Sequence, residues 1–533
     1  MYPHVSVGLP NRGKVRDCLI MSEGDRRKRL YRAILVSAIV MVIIFSFGRL
    51  ATAGDPSGTK TGTGKDVSVD QSKPSSHQQQ QVLDEVGHVK VSMNFIWVFL
   101  GGILVFFMQA GFALLETGFC QKKNALHVMM TNFMIFGIAV IGFYLIGFAL
   151  MFGGIGALKQ LGGQSILTHE VTLRGWGLVG SRGFALSGPA YDAGIFLFFL
   201  FEVVFMDTAA TIPTGAMAER WKYSAFVIYG LFIGTILYPV FGNWVWGGGW
   251  LAQLGVKAGL GNGYVDFAGS SVVHAVGGLT GLMGVLVLGP RFGKFKKDGT
   301  PRAIPGHNIP IAILGTILLV FGWFGFNAVS TLNGGDLRLG VIATNTLLAS
   351  CFGAVMAMLY MWKKTGYPDP SMSANGCLAG LVSITASCAF VPGWSAAIIG
   401  SIAGIIVCIS VFTLERKFKI DDPVGAIAVH GVNGIWGVIA LGIFADGTYG
   451  AGYNAVGHAV RGALYGGWSQ FLAQLVGATT CIVFVCVVMY TFFKVQDRIM
   501  GIRVPPDIEM GGVDQEMGLP AYTESTDLLE GGA

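Results

Sequence analysis

Long apolar runs recur at close intervals along this chain, and many of them are long enough to cross a lipid bilayer as a helix. Of the 533 residues, 53% are hydrophobic and only 12% are charged. Crossing the ~30 Å hydrocarbon core takes ~20 helical residues. Eleven such runs follow residue 90, the first at roughly 93–119 and the last at roughly 469–493. The sequence therefore predicts an all-α membrane protein with eleven transmembrane helices.

Basic residues are concentrated in every second junction between these runs. They are Lys122, Lys123, Arg220, Lys222, Arg291, Lys294, Lys296, Lys297, Arg302, Lys363, Lys364, Arg416, Lys417 and Lys419. Cytoplasmic loops carry such an excess of lysine and arginine, so the odd-numbered junctions are expected in the cytoplasm. The chain then starts its first span outside the cell membrane and ends with a cytoplasmic tail. The net charge of +6 reflects this topology and does not indicate nucleic-acid binding.

Two segments of the chain share one pattern. DFAGSSVVHAVGG (266–278) and DPVGAIAVHGVNG (422–434) both begin with an acid and carry glycine at +3, histidine at +8 and glycine at +12. The first begins the fifth span and the second begins the tenth, and the charge argument runs these two spans in opposite directions. Five spans repeated upside down are typical of transport proteins with a site near the midplane. We therefore expect a five-plus-five inverted repeat with one additional last helix.

His274 and His430 occupy the same step in the two segments. Each ring lies ~12 Å beyond its acid along a helix, so the two rings approach a common depth from opposite faces. A single histidine in an apolar helix is most often a core residue bonded to a carbonyl or hydroxyl group. Ionisable groups within a membrane tend to line pathways, and two imidazoles facing a narrow pore could pass or hold a proton. A metal site is a further interpretation, which two histidines without a third ligand support weakly.

Asp266 and Asp422 stand at the starts of these two spans. A carboxylate at that position accepts hydrogen bonds from the first amides of a helix, so both acids are interpreted as structural. Pro423 follows Asp422 directly and is expected in the first helical turn, where proline is tolerated.

The first 90 residues differ from the rest of the chain. Residues 1–53 combine basic MSEGDRRKRLYR, apolar AILVSAIVMVIIFSF and an A-x-A site at 51–53, which is the pattern of a secretory signal peptide. An uncleaved extra helix is the alternative, and Met21 is an alternative start. Residues 54–90 are rich in glycine, serine, threonine and glutamine, and are expected to form a flexible exported leader.

Eight motifs occur in a characteristic order. They are GFALLETGFCQKKNA (111–125), FMDTAATIPTGAMAER (205–220), VWGGGWLAQLG (245–255), DFAGSSVVHAVGG (266–278), GWFGFNAVS (322–330), GLVSITA (380–386), DDPVGAIAVHGVNGIWG (421–437) and RVPPDIEMGGVDQEM (503–517). In these motifs the chain resembles the Amt-type ammonium transporters of the Amt/Rh group over residues 91–525. The resemblance implies the ammonium transporter fold in a domain at 91–493, usually trimeric, with one narrow pore through each subunit.

Individual positions follow from the same resemblance. Trp246, Phe205 and Ser330 resemble the outer site that recruits ammonium, and Phe205 with Phe326 resembles the pair of rings that closes the pore below it. His274 and His430 resemble the paired pore histidines, and Asp266 resembles the structural acid of the outer vestibule. An aromatic face attracts a small cation by ~0.5–2 kcal/mol, and a serine hydroxyl can accept a hydrogen bond from it.

Glu202 departs from the family pattern, because a neutral glutamine is common there. A carboxylate at this position either adds negative potential to the vestibule or pairs with a neighbouring side chain. Taken without the resemblance, Trp246 would be an interfacial belt residue, and the phenylalanines would pack in the core or face lipid.

The resemblance implies transport of ammonium or ammonia into the cytoplasm through a hydrophobic pore, by recruitment, deprotonation and conduction past the histidines. The alternative is an ammonium sensor acting through cytoplasmic partners with little or no transport. The resemblance makes residues 494–533 a cytoplasmic regulatory tail and suggests a PII-type regulatory protein as a partner. We expect no cofactor and no enzyme activity, because no nucleotide-binding motif follows the last span and no nucleophile–base arrangement accompanies the histidines.

Overall fold

A computed structural model describes residue 63 and residues 77–162, 167–450, 456–519, 521 and 522. The expected signal peptide (1–53) and most of the expected leader (54–90) lie outside these residues. Helices follow the predicted spans. They are α1 (His77–Phe119), α2 (Lys122–Phe152), α3 (Ala193–Ala216), α4 (Tyr223–Val245), α5 (Ser270–Leu288), α6 (Ile309–Thr331), α7 (Leu339–Thr365), α8 (Pro370–Thr385), α9 (Gly393–Arg416), α10 (Ile427–Phe444) and α11 (Trp468–Met500).

The prediction of an all-α membrane protein is confirmed, with ten helices in the described part of the chain long and apolar enough to cross a membrane. The helix α8 stands where the eighth span was predicted but has only 16 residues. That length is short of the ~20 residues that a full span takes. Ten full-length spans and one shorter helix therefore occupy the eleven predicted positions.

The helix α1 begins earlier than the sequence pattern suggested. It starts at His77, so the last part of the segment expected to be flexible (54–90) is helical. QQQQVLDEV at 78–86 consists largely of good helix formers, and the Gln80 side chain donates to Asp84 one turn further on. Low hydrophobicity excluded this segment from the predicted span, but it does not prevent a helix from extending beyond the bilayer.

A buried ion cluster joins several of the odd-numbered junctions at one end of the bundle. Arg291, after α5, donates to both carboxylate oxygens of Asp421, before α10, at 2.8 and 2.9 Å. It also pairs with Glu219, after α3, and Glu219 accepts from the Asn124 side chain at the start of α2. Four of the five junctions that carry the basic residues, the first, third, fifth and ninth, therefore meet on one side of the molecule.

The tail docks on this same end. Val504 N donates to the Arg220 carbonyl, and the Glu509 carboxylate accepts from Phe292 N. Further along, the Asp514 carboxylate accepts from His127 N in α2. Two short helices, Pro506–Gly511 and Val513–Met517, form the tail instead of one continuous helix.

The other end of the bundle carries a small β-hairpin that the sequence did not indicate. Strand β1 (Glu170–Leu173) pairs antiparallel with β2 (Trp176–Gly180) in the connection between α2 and α3. Trp244 Nε1, near the end of α4, donates to the Leu178 carbonyl, which anchors the hairpin on the bundle. These strands have only four and five residues, too few to have stood out from the apolar runs around them.

Candidate functional site

Asp266 is fully buried and organises the start of α5. Its carboxylate oxygens accept hydrogen bonds from four backbone amides at 2.7–3.0 Å. The donors are Gly269, Ser270, Ser271 and Val272. These amides have no partner within the helix, so the carboxylate satisfies groups that would otherwise be unpaired in an apolar environment.

Asp422 does the same for α10, accepting from Gly425 N at 3.0 Å and Ile427 N at 2.7 Å. Pro423 lies before the helix, and the expectation that it occupies the first helical turn is wrong. The reason is Gly425, whose φ of +81° makes a left-handed turn between the acid and the helix. Gly269 has the same role before α5, with φ of +109°.

Each of these turns leads into a wide π-helical segment that contains one histidine. The segments are Ser270–Ala275 in α5 and Ile427–Val432 in α10. Such segments are rare in proteins generally and are frequent at functional sites, although this chain has two more within α2 and α4, at Phe143–Gly147 and Ile233–Leu237. The repeated pattern of acid, glycine and histidine therefore encodes a repeated backbone conformation as well as a repeated side chain.

His274 and His430 lie side by side where α5 and α10 cross. Their Nδ1 atoms are 3.2 Å apart and their ring centroids 5.3 Å apart. One Nδ1 must carry a proton and the other must accept it for this contact to be a hydrogen bond. Both rings are buried, and His274 Nε2 has no hydrogen-bond partner among the described residues. The pair can therefore bind a further donor or acceptor.

A cavity of about 240 Å³ lies on one side of the histidine pair. Glu202, Phe205, Trp246 and Ser330 all line it. The Phe205 ring stands edge-on to Trp246, with centroids 6.2 Å apart. It also stacks on Phe326 at 4.1 Å. Three of these residues were predicted to form a recruitment site, and the structure brings them into one cavity.

The two phenylalanines separate this cavity from the histidines. Phe326 stacks on His274 with centroids 5.4 Å apart, and Trp323 packs on the same imidazole at 4.9 Å. Phe205 and Phe326 are almost fully buried. Aromatic rings thus form a continuous column from Trp246 to the histidine pair.

The polar groups of the cavity differ in the hydrogen bonds that they can still make with a bound molecule. Ser330 Oγ donates its proton to the Phe326 carbonyl at 2.7 Å, so it can only accept from a bound molecule. Trp246 Nε1 donates to the Asp266 carbonyl, which fixes the orientation of the indole. Glu202 is 7% exposed, and its Oε2 has no partner within the described ranges. No ion pair joins Glu202 to another described residue, so its negative charge stays uncompensated there when it is ionised.

A second, very small cavity lies on the opposite side of the pair. His430, Phe112 and Glu116 are among its lining residues, and Phe112 lies 6.1 Å from the His430 ring. The sequence argument missed both α1 residues. The signal that could have found them is the likeness between GFALLET at 111–117 and GFNAVST at 325–331.

The chain matches the family model described as Ammonium Transporter Family over residues 96–522. It belongs to the ammonium transporter family. One relative, the ammonium transporter Amt2 of Archaeoglobus fulgidus, is 46% identical over 428 residues, which is 80% of this chain and 87% of that protein. Another, the ammonium transporter Amt1 of Haloferax mediterranei, is 35% identical and covers 82% of this chain and 80% of its own length.

Solved structures of ammonium transporter proteins share the fold. A structure titled Sensor Amt Protein superposes with a TM-score of 0.70 at 33% identity, covering 81% of this chain and 99% of that chain. Mep2 of Candida albicans superposes with a TM-score of 0.66 at 29% identity, covering 78% and 87%. Relatives named as transporters and ten apolar helices together support ammonium transport by a multi-pass membrane protein.

Proposed function

We propose that this protein conducts ammonium nitrogen into the cytoplasm through a hydrophobic pore in each subunit. The observation that carries the proposal is the column of rings between the outer cavity and the paired histidines. A cavity with an acid, a tryptophan and a serine ends on stacked phenylalanines, and two hydrogen-bonding imidazoles follow. This order suits a cation that is first bound and then loses its charge.

Recruitment takes place in the outer cavity. The rings of Trp246 and Phe205 attract a small cation through their negative faces, and Ser330 Oγ accepts one of its N–H groups. When it is ionised, Glu202 adds a negative charge that the described residues do not neutralise. These groups replace part of the water shell that ammonium loses on entering the cavity.

Deprotonation follows at the phenylalanine stack, where one N–H bond of ammonium breaks and its proton passes to water on the outer side. An isolated cation in a dry, apolar passage is strongly disfavoured, and neither Phe205 nor Phe326 has a polar side-chain group to replace its water. Neutral ammonia can pass between the rings and then meets His274. It can exchange hydrogen bonds with the imidazole pair, because each neutral ring offers one donor and one acceptor.

Replacing either histidine with leucine tests this route. We expect ammonium uptake into proteoliposomes to fall at least about tenfold in His274→Leu and in His430→Leu, because an apolar side chain removes the polar groups that neutral ammonia meets in an otherwise dry passage. His458→Leu, in an exposed loop segment, is the control and should keep its uptake. Unchanged uptake in both pore variants would remove the histidines from the pathway.

Non-transporting sensing is the second candidate, and one observation favours it. The solved structure with a TM-score of 0.70 is titled Sensor Amt Protein. A sensor would bind ammonium in the outer cavity without passing it on. Charge moved and ammonium taken up, measured together on purified reconstituted protein, separate a transporter from a sensor. Their ratio further distinguishes ammonia conduction, ammonium uniport and proton-coupled transport.

We also infer the arrangement in the cell. The positive-inside rule assigns the end that carries the ion cluster and the tail to the cytoplasm, and the hairpin end to the outside. A homotrimer and a PII-type regulatory protein on the cytoplasmic face remain the assembly and the partner expected from the family resemblance. The molecular mass of the detergent-solubilised complex tests the first, and co-purification with a PII-type protein tests the second.

A further inference from the structure

The small cavity below the histidine pair has the chemistry of a binding site. Its volume is about 10 Å³, which is room for about one water-sized molecule, and ammonia has that size. His430 lines it together with Phe112 and Glu116. The cavity lies near the end of α1 that joins the first, basic junction, so the charge argument places it toward the cytoplasm.

Internal symmetry relates this cavity to the outer one. Phe326 in α6 packs on His274, and Phe112 in α1 packs on His430. Ser330 follows Phe326 by four residues, and Glu116 follows Phe112 by four. The two helices run in opposite directions in an inverted repeat. Glu116 therefore occupies, at the inner side of the pair, the position that Ser330 occupies at the outer side.

Glu116 is held in place by neutral hydrogen-bond donors. It is 1% exposed, and its Oε2 accepts from Asn132 at 2.7 Å and from Thr214 at 2.8 Å. No lysine or arginine among the described residues forms an ion pair with it. A buried carboxylate without a basic partner favours either a bound cation or a proton.

We propose that Glu116 forms an inner ammonium site, in which ammonia arriving from His430 regains its proton. The protonated carboxyl gives its proton to the ammonia nitrogen, so an O–H bond breaks as an N–H bond forms. The carboxylate then holds the ammonium until it leaves, and a hydronium ion from the cytoplasm restores the carboxyl proton. This inference rests on the proposed conduction and assigns its last step.

The test compares ammonium applied from each side of proteoliposomes in which the protein has one orientation. In Glu116→Gln, the amide can still accept from Asn132 and Thr214 but carries no charge. We expect the half-saturating ammonium concentration on the inner side to rise about tenfold, because charge-assisted hydrogen bonds are roughly twice as strong as neutral ones. The outer value should stay within about twofold. Ser330→Ala is the matched variant and should change the outer value only.

The outcomes separate the two proposals. An unchanged inner value in Glu116→Gln, or an equal rise on both sides, would overturn the inner site. Absence of flux in the unaltered protein would instead overturn the proposed function. If Glu116→Gln does not assemble, Glu116→Asp carries the test. Its shorter carboxylate should lower the inner affinity less than tenfold while still leaving the outer value unchanged, and an unchanged inner value overturns the site here too.

Discussion

Ser330 and Glu202 line the same outer cavity but offer a cation different chemistry. The serine hydroxyl gives its only proton to the backbone and can accept one hydrogen bond from a ligand. The glutamate has no ion-pair partner in the described part of the chain, so its charge is not neutralised there when it is ionised. A glutamine, which the family resemblance leads one to expect at this position, would carry no charge.

Glu202→Gln tests that difference. We expect the half-saturating ammonium concentration on the outer side to rise about tenfold, with the maximal rate within about twofold, because the charge acts on binding and not on later steps. The matched control is Glu170→Gln on β1, a half-buried acid outside the cavity. Equal values for the two variants would show that Glu202 does not attract the substrate.

At the level of secondary structure, the crossing of α5 and α10 decides where the imidazoles meet. Ser270, before His274, lies against Gly434, whereas Gly278, after His274, lies against Gly431. The two helices therefore cross antiparallel with their backbones in close contact, which requires glycine at the crossing. The 3.2 Å contact between the rings depends on this approach.

Gly278→Ala should disturb the histidine pair without touching either ring. An added Cβ would collide with the backbone of Gly431, so the helices must move apart. We expect a loss of about 1–3 kcal/mol in stability, as for other overpacked sites, and a larger relative loss of ammonium flux. Gly340→Ala in α7, where an added Cβ meets open space, is the control. Thermal unfolding and ammonium flux are measured on both variants. Equal stability and equal flux in Gly278→Ala and Gly340→Ala would contradict this prediction.

For the whole molecule, one arginine connects several distant parts of the chain. Arg291 binds Asp421, which precedes α10, and Glu219, which follows α3. Burial alone would raise the pKa of Asp421, but Arg220 and Arg291 outweigh it and hold that pKa well below its ordinary value. Burial and Arg291 compete in the same way at Glu219, whose pKa is also lowered. The cluster therefore ties α3, α5 and α10 to the end on which the tail docks.

Arg291→Met should leave two buried carboxylates without their main partner. We expect a loss of about 3–5 kcal/mol at neutral pH, as when one member of a buried ion pair is removed. Because the folded-state pKa values of both acids are depressed, the stabilisation is present above their ordinary pKa of about 4 and is lost as pH falls through the lower folded values. The difference between the variant and the unaltered protein should therefore shrink in acid.

The control for this experiment is Lys297→Met, an exposed cation in the same junction. It should unfold like the unaltered protein at every pH. A loss in Arg291→Met that does not depend on pH below about 4 would contradict the electrostatic origin. The loss of stability would then have to come from the packing of the arginine side chain alone.

Prediction from sequence succeeded where one short-range rule decides the structure. Membrane thickness imposes helix length, so most helix bounds lie within a few residues of the apolar runs. The repeated spacing from acid to histidine indicated two equivalent segments in α5 and α10. Prediction from sequence failed where the backbone departs from a regular helix, as at Pro423. The positive φ of Gly425 is a local backbone conformation that composition does not reveal.

The sequence by itself determined an all-α membrane protein, the order of its helices and the presence of two matching histidine segments, because hydrophobicity and spacing act along the chain. Only the tertiary structure decided that the imidazoles lie 3.2 Å apart and that Phe326 stacks between the outer cavity and His274. It alone also placed Glu116 in the small cavity that His430 lines. These contacts join residues far apart in the chain, and helix packing in three dimensions sets them.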